Sequence, residues 1–211
     1  MTQNAMTSKQ RVLKLFAGEA VDKVPCFSGM GNVTTEGLKT LGHKCAAIHL
    51  DAKMMAEAAA TSYKLLGIEC GVVPFDLCVE AEAMGCEINV YAHSEDLLYP
   101  TIKKKLIHNE AEMEIVIPSD ITARGRVPLM VEAIGLLKKQ LGDRAAVGSY
   151  VLGPFTLAGQ IMELNDLLKL WSQWRNLFCV TMKQESKRRE GSRQIRCHEK
   201  KGRTPARRLI D

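Results

Sequence analysis

The 211-residue sequence is poor in aromatic side chains, which make up 5% of it, and it lacks any long uninterrupted apolar run. A membrane-spanning helix needs about 18 or more consecutive apolar residues, so no such span is expected. The sequence also lacks a glycine repeat of the collagen kind. Its hydrophobic share of 46% is above that of a disordered chain. These absences leave a globular protein with enough apolar residues for a core.

The cysteines do not form the dense, even-numbered framework of a small secreted domain, because there are seven of them scattered along the chain. Reduced thiols are therefore expected. Residues 1–10 are polar and lack the apolar segment of a secretory signal. We predict a cytoplasmic protein without membrane association.

The net charge of +5 is unevenly distributed. Residues 1–169 contain 17 basic and 20 acidic side chains, whereas residues 170–211 contain 12 basic and 4 acidic ones. Basic clusters near Trp171 and Trp174 can bind nucleic acid through phosphate contacts and stacking. No nucleic-acid-binding fold surrounds them, so nucleic-acid binding through this basic tail is a distant alternative.

Short apolar runs alternate with amphipathic helical patterns along residues 1–169. The predicted strands cover residues 24–27, 68–73, 87–90 and 145–152, and the predicted helices cover residues 52–66, 78–84, 128–141 and 155–163. Residues 91–117 fit either a strand or the start of a helix. Parallel strands need crossover helices, so this alternation predicts an α/β fold. About four such units are present, whereas a closed (β/α)8 barrel needs eight, which leaves about half a barrel or a small open sheet.

Ligands of parallel α/β proteins bind beyond the carboxyl ends of the strands, which singles out three loops. The first, 28–34, resembles the start of a dinucleotide fingerprint, but Thr34 occupies the place of the third glycine, so a tight turn is the default. The second places Asp76 at a strand end and Glu80 one helical turn later. Carboxylates there can bind a substrate N–H or act as acid or base, yet Asp76 is equally suited to cap the helix that follows.

The third loop, from Gly153 to Thr156, places backbone amides and a hydroxyl at a helix N-terminus, which can bind an anion. An ordinary strand-to-helix turn explains the same pattern. His43 and Cys45 form an isolated His-x-Cys without a partner pair, so no metal site is predicted.

Several stretches resemble, in order and spacing, the uroporphyrinogen decarboxylase superfamily and, within it, the corrinoid-dependent methyltransferases such as the methylcobamide:coenzyme M methyltransferases. The matching stretches are residues 8–19, 24–25, 65–67, 73–76, 80–86 and 151–158. The resemblance implies a TIM barrel with its pocket at the three loops. We accordingly predict Asp76 and Glu80 as catalytic residues, and Asn32, Gly153, Phe155 and Thr156 as substrate contacts.

The methyltransferase branch is favoured over uroporphyrinogen decarboxylase itself, which stays the alternative. Decarboxylases, as the resemblance has it, bind a substrate with eight carboxylates and carry an arginine-rich motif after the first strand. Residues 25–32 contain no arginine, and none occurs between Arg11 and Arg124. A polyanionic porphyrinogen would therefore find few guanidinium groups.

The methyltransferase branch implies transfer of a methyl group, as part of one-carbon metabolism, between a corrinoid (cobalamin) on a partner protein and a small molecule such as coenzyme M or tetrahydrofolate. Thiol-using relatives hold zinc through a His-x-Cys and a distant cysteine, and the zinc lowers the thiol pKa. Nothing after Lys169 supplies these ligands, and the role is not transferred to His43 and Cys45.

The resemblance ends near Lys169. We hypothesise that residues 1–169 are the N-terminal half of a truncated barrel, inactive alone, and that residues 170–211 are an out-of-frame or disordered extension. Translation of the DNA in the other two frames tests this, because continued barrel sequence with a His-x-Cys is expected in one of them.

Overall fold

The computed structural model describes residues 5–94, 96–108 and 118–173. The chain divides into two compact units, Met1–Glu163 and Leu164–Asp211. In the second unit the described residues, 164–173, are helical. The predicted basic tail otherwise lies outside the described residues.

The first unit has α/β architecture. Its elements, in chain order, are α1 (Ser8–Phe16), α2 (Thr35–Leu41), α3 (Ala52–Leu66), β1 (Cys70–Val73), α4 (Val79–Met84), β2 (Glu87–Asn89), β3 (Thr101–Lys104), α5 (Val127–Leu141), β4 (Ala146–Ser149) and α6 (Pro154–Ile161). Short 3-10 turns occupy Ala47–His49 and Ile121–Ala123. No helix in the described ranges is both long enough and apolar enough to span a bilayer.

Strands β1 and β4 pair in parallel, with Cys70 opposite Ala146 and Val73 opposite Ser149. The chain passes from one strand to the other through the β2–β3 hairpin and α5. All four residues of β1 are buried. Helices α3 and α5 contact each other and β1, and they enclose a core with Met55 and Leu137 fully buried. Both parallel strands therefore end at the same edge, where the second and third predicted loops begin.

Local signals account for the longer helices. Thr7 begins α1 with a capping box shared with Gln10, and the Asp51 side chain accepts a hydrogen bond from the Met54 amide at the start of α3. Gly67 ends α3 with a φ of 67°, a left-handed conformation that glycine adopts without steric cost. The predicted helix over 52–66 is confirmed.

The predicted strand over 24–27 is wrong, because these residues form no strand. The segment does run beside the start of β1, where the Glu69 amide donates to the Cys26 carbonyl at 2.7 Å. Pro25 has no N–H with which to continue the ladder. The segment left open in the sequence contains β3, which pairs antiparallel with β2, and residues 109–117 of that segment lie outside the described ranges.

Candidate functional site

Asp76 lies three residues beyond β1 and is buried, with 3% of its surface exposed. Its Oδ1 accepts hydrogen bonds from the Cys78 amide at 2.9 Å and Arg126 Nη2 at 3.0 Å. Its Oδ2 accepts one from Arg126 Nη1 at 2.8 Å and lies 3.1 Å from His49 Nδ1. Burial raises the pKa of Asp76, but the hydrogen bonds from His49 and Arg126 and the charge of Arg126 outweigh it and lower the pKa to about 2. The carboxylate is thus ionised and fully partnered.

The helix-cap interpretation of Asp76 is supported, since the Cys78 amide at the N-cap of α4 donates to it. Arg126 gives the Asp76 carboxylate a second structural role, as a partner in a salt bridge. It stands just before α5 and also donates through Nε to Glu82 Oε2 at 2.7 Å. Asp76, Arg126 and Glu82 together form a buried ion-pair network that joins the loop after β1 to the starts of α4 and α5.

Glu80 and Tyr150 connect this network to the end of β4. Glu80 Oε1 accepts a hydrogen bond from the Leu152 amide at 2.9 Å, and the Tyr150 hydroxyl donates to the Asp76 carbonyl at 2.9 Å. Burial raises the pKa of Tyr150, and the nearby charge of Asp76 adds to the effect, so its hydroxyl stays protonated. The loops after the two parallel strands are therefore fixed to each other.

The first predicted loop packs against the second. A Cβ on Gly31 would clash with the Pro74 carbonyl, so only glycine fits this approach. Asn32 is half-buried, and its backbone carbonyl accepts a hydrogen bond from the Ser62 hydroxyl at 2.9 Å. The structure thus brings Asn32 to the edge of the sheet that carries Asp76.

The third loop lies more open. Gly153 is the N-cap of α6 and is exposed, as are Phe155, at 48%, and Thr156. The turn is held to the network through the amide of Leu152, which directly precedes it. Gly153, Phe155 and Thr156 are therefore exposed to solvent, whereas Asp76 is buried. Their assignment as substrate contacts stays a prediction.

Sequence reasoning missed His49 and Arg126. His49 contacts Asp76 from 27 residues upstream, and Arg126 contacts it from 50 residues downstream. His49 sits in the short 3-10 turn before α3 and is fully buried. Neither residue belongs to a recognisable motif, and the only available signal was the pair Arg124 and Arg126 ahead of the predicted helix over 128–141.

His43 and Cys45, the isolated His-x-Cys, each have another group as partner. His43 Nε2 is 2.9 Å from Glu57 Oε2, and the Cys45 thiol donates to the Leu98 carbonyl. Among the described residues, no three metal-ligating side chains converge.

A parallel β–α–β core with a polar cluster beyond its strand ends defines an α/β protein with its site at the carboxyl edge of the sheet. The chain belongs to the uroporphyrinogen decarboxylase (URO-D) family, whose family model matches residues 7–183. This confirms the predicted family. The match continues past Lys169, and the division of the chain at residue 169 stays a prediction.

Known methyltransferases are similar to most of this chain. A methylcobamide:CoM methyltransferase, MtaA, of Methanosarcina barkeri is 31% identical over 166 residues, which are 79% of this chain and 48% of that protein. A methylated-thiol–coenzyme M methyltransferase of Methanosarcina mazei is 29% identical over 168 residues, covering 80% of this chain and 44% of the relative.

A solved methyltransferase structure from Methanosarcina mazei matches with a TM-score of 0.71 and 30% identity, covering 78% of this chain and 48% of that chain. The chain thus spans about half the length of these relatives. The match confirms an α/β fold of the URO-D barrel type over about half a barrel, and the described residues form no closed barrel.

Proposed function

We propose that this chain contributes one wall of the pocket of a corrinoid-dependent methyltransferase, which moves a methyl group between a corrinoid on a partner protein and a small molecule such as coenzyme M or tetrahydrofolate. The names and similarity of the methyltransferase relatives support this proposal. Beyond this similarity, the proposal rests on one structural observation: the arginine at the site, Arg126, is already paired with internal carboxylates.

Each arginine in the described ranges already has a partner. The pairs are Arg11 with Asp22 and Glu69, Arg124 with Asp120, Arg126 with Asp76 and Glu82, and Arg144 with the carbonyls of Gln140 and Leu141. Arg11 and Arg144 lie toward the amino ends of the parallel strands, away from the candidate site. A porphyrinogen with eight carboxylates would therefore find only the exposed Arg124 and Arg126, which two internal carboxylates already hold, and this disfavours the decarboxylase alternative.

The residues at the open side of the site fit a corrinoid. A corrin ring bears neutral amide side chains around an apolar macrocycle, so it needs neutral hydrogen-bonding groups and apolar contacts rather than cations. Asn32 offers an amide, Thr156 a hydroxyl and Phe155 an exposed ring. When bound, the corrinoid supplies the methyl group on its cobalt.

The fully partnered Asp76 is proposed to act by orientation and by its fixed negative charge rather than by proton transfer. A carboxylate with a pKa of about 2 is a weak base at neutral pH. Glu80 is proposed to hold the Gly153–Thr156 turn through the Leu152 amide. We expect the chain alone to bind corrinoid without completing methyl transfer.

Equilibrium dialysis of the full chain against methylcobalamin and, separately, uroporphyrin tests the proposal. We expect retention of methylcobalamin and weaker retention of uroporphyrin. Replacing Phe155 or Thr156 with alanine should weaken methylcobalamin binding, whereas Val131→Ala, at a 65% exposed position on α5, should not. Preferential retention of uroporphyrin would favour the decarboxylase alternative, and retention of neither ligand would contradict the proposal.

A further inference from the structure

His49 is a fully buried histidine whose Nδ1 has a hydrogen-bond partner and whose Nε2 has none among the described residues. The 3-10 turn Ala47–His49 brings its side chain against the loop that follows β1. Its Nδ1 lies 3.1 Å from Asp76 Oδ2. Its Nε2 is buried and has no hydrogen-bond partner among the residues that the structure describes. The two nitrogens of one imidazole therefore differ completely in their surroundings.

The partner of Nδ1 fixes the tautomer of His49. Asp76 receives two hydrogen bonds from Arg126, at 2.8 and 3.0 Å, so its carboxylate is ionised and can only accept. The proton shared with His49 must then reside on Nδ1. In the neutral imidazole, Nε2 consequently presents a lone pair. A histidine oriented by a carboxylate in this way is prepared to interact through its other nitrogen.

The surrounding polar groups of the cluster, in contrast, have partners. Both oxygens of Asp76, three nitrogens of Arg126, and the Tyr150 hydroxyl make hydrogen bonds. A buried acceptor without a partner costs free energy and is uncommon in native proteins. The exception at His49 contacts Asp76 at the carboxyl edge of the sheet, where the ligand of the proposed function would bind, which makes that ligand the natural partner.

We propose that His49 Nε2 accepts a hydrogen bond from the ligand of this site, an inference that rests on the proposed function. The ligand must supply a neutral donor. Two sources have this chemistry: a side-chain amide N–H of the corrinoid and the S–H of a thiol substrate.

Tyr99 is the neighbour that a ligand would displace to reach His49. The rings of Phe75 and Tyr99 both contact the imidazole at nearly right angles, with centroids 6.0 and 5.7 Å away. Phe75 is buried, whereas Tyr99 is 45% exposed and lies outside any helix or strand. Of these two rings, only that of Tyr99 reaches solvent.

The variant His49→Asn separates the two nitrogens. Its amide can place an N–H near the position of Nδ1 and so keep the contact with Asp76, but it has no group at the position of Nε2. Binding of methylcobalamin and of coenzyme M is measured in separate titrations of the full chain. We expect His49→Asn to weaken the binding of one of them about tenfold, the loss that accompanies one good hydrogen bond. The ligand affected identifies the donor.

His43→Asn is the matched control, because His43 Nε2 is already paired with Glu57. It should bind both ligands like the wild type. If His49→Asn binds every ligand that the wild type binds, each with unchanged affinity, the inference is wrong while the proposed function stands. If the wild type binds neither ligand, the proposed function fails first and the inference fails with it.

A measurement on the wild type covers the case in which His49→Asn does not fold. In protein labelled with 15N-histidine, the Nε2 resonance of His49 should be that of an unprotonated nitrogen, and it should shift when the bound ligand saturates the protein. An unchanged resonance at saturation, or a proton on Nε2 instead of Nδ1 in the free protein, overturns the proposal.

Discussion

Replacing Arg126 with methionine should destabilise the protein far more than a typical surface substitution. The guanidinium donates twice to Asp76, at 2.8 and 3.0 Å, and once to Glu82 at 2.7 Å. The side chains of Arg126 and Asp76 are 6% and 1% exposed. Methionine fills much of the same volume but leaves Asp76 as a buried carboxylate without its cation. Breaking such a buried pair costs about 3–5 kcal/mol of the free energy of unfolding.

Urea unfolding followed by far-UV circular dichroism measures this loss. With a slope of about 2 kcal/mol per molar urea, a loss of about 3 kcal/mol lowers the transition midpoint by about 1.5 M. Arg124→Met is the control, because Arg124 is 44% exposed and its ion pair with Asp120, at 3.5 Å, should contribute at most about 1 kcal/mol. Equal midpoints for the two variants would refute the reasoning.

A second substitution distinguishes the cost of leaving a buried charge unpaired from the cost of lost packing. Asp76→Asn in the Arg126→Met background removes the carboxylate that the first change leaves unpaired. The double variant should therefore be more stable than Arg126→Met alone, since the two residues are coupled. Simple addition of the two losses would mean that packing, not charge, dominates at this position.

Three further predictions concern pH, backbone contact and thiol reactivity. Because the pKa of Asp76 falls from 3.8 to about 2 on folding, its stabilisation, on the order of 2 kcal/mol, is complete above about pH 4 and lost as the pH falls toward 2. Urea midpoints measured across this range should fall less steeply in Asp76→Asn. Gly31→Ala should cost about 1–3 kcal/mol in the same assay, because its Cβ would meet the backbone carbonyls of residues 72 and 74, whereas Gly153→Ala, which has open space, should be nearly neutral. At pH 8 a thiol reagent should label exposed Cys26 quickly and buried Cys78 slowly, since burial and the nearby Asp76 raise the pKa of Cys78 to about 11. Mass spectrometry of labelled peptides checks the last prediction, and rapid native-state labelling of Cys78 would contradict it.

The parts of the fold that the sequence predicts are those determined by neighbouring residues. Helix α3 follows from its N-cap Asp51, its apolar periodicity and Gly67. Strand β1 follows from a continuous apolar run that ends at Pro74. The position of Asp76 after that run also predicts both its capping contact and its place at the site edge.

The remainder of the site depends on contacts that no local pattern encodes. The Asp76 carboxylate is held by groups 27 and 50 residues away in the chain, and nothing in the residues beside His49 or Arg126 announces that contact. The prediction of a strand over 24–27 was wrong for the same reason, because strand formation depends on a distant partner segment. Its apolar residues fit a strand, but pairing requires a partner with matching hydrogen bonds, and Pro25 lacks the donor.

Under the proposed function, Arg126 would link the stability of this edge to the choice of substrate. Its nitrogens are used by Asp76 and Glu82, so a polyanionic substrate could recruit it only by leaving those carboxylates buried and unpaired. That exchange would cost free energy of the same kind that the Arg126→Met substitution measures, namely the burial of a carboxylate without its cation. A ligand with neutral amides and an apolar face makes no such demand, because the side chains of Asn32, Phe155 and Thr156 carry no charge. The contacts that hold the loops together therefore favour a corrinoid over a porphyrinogen.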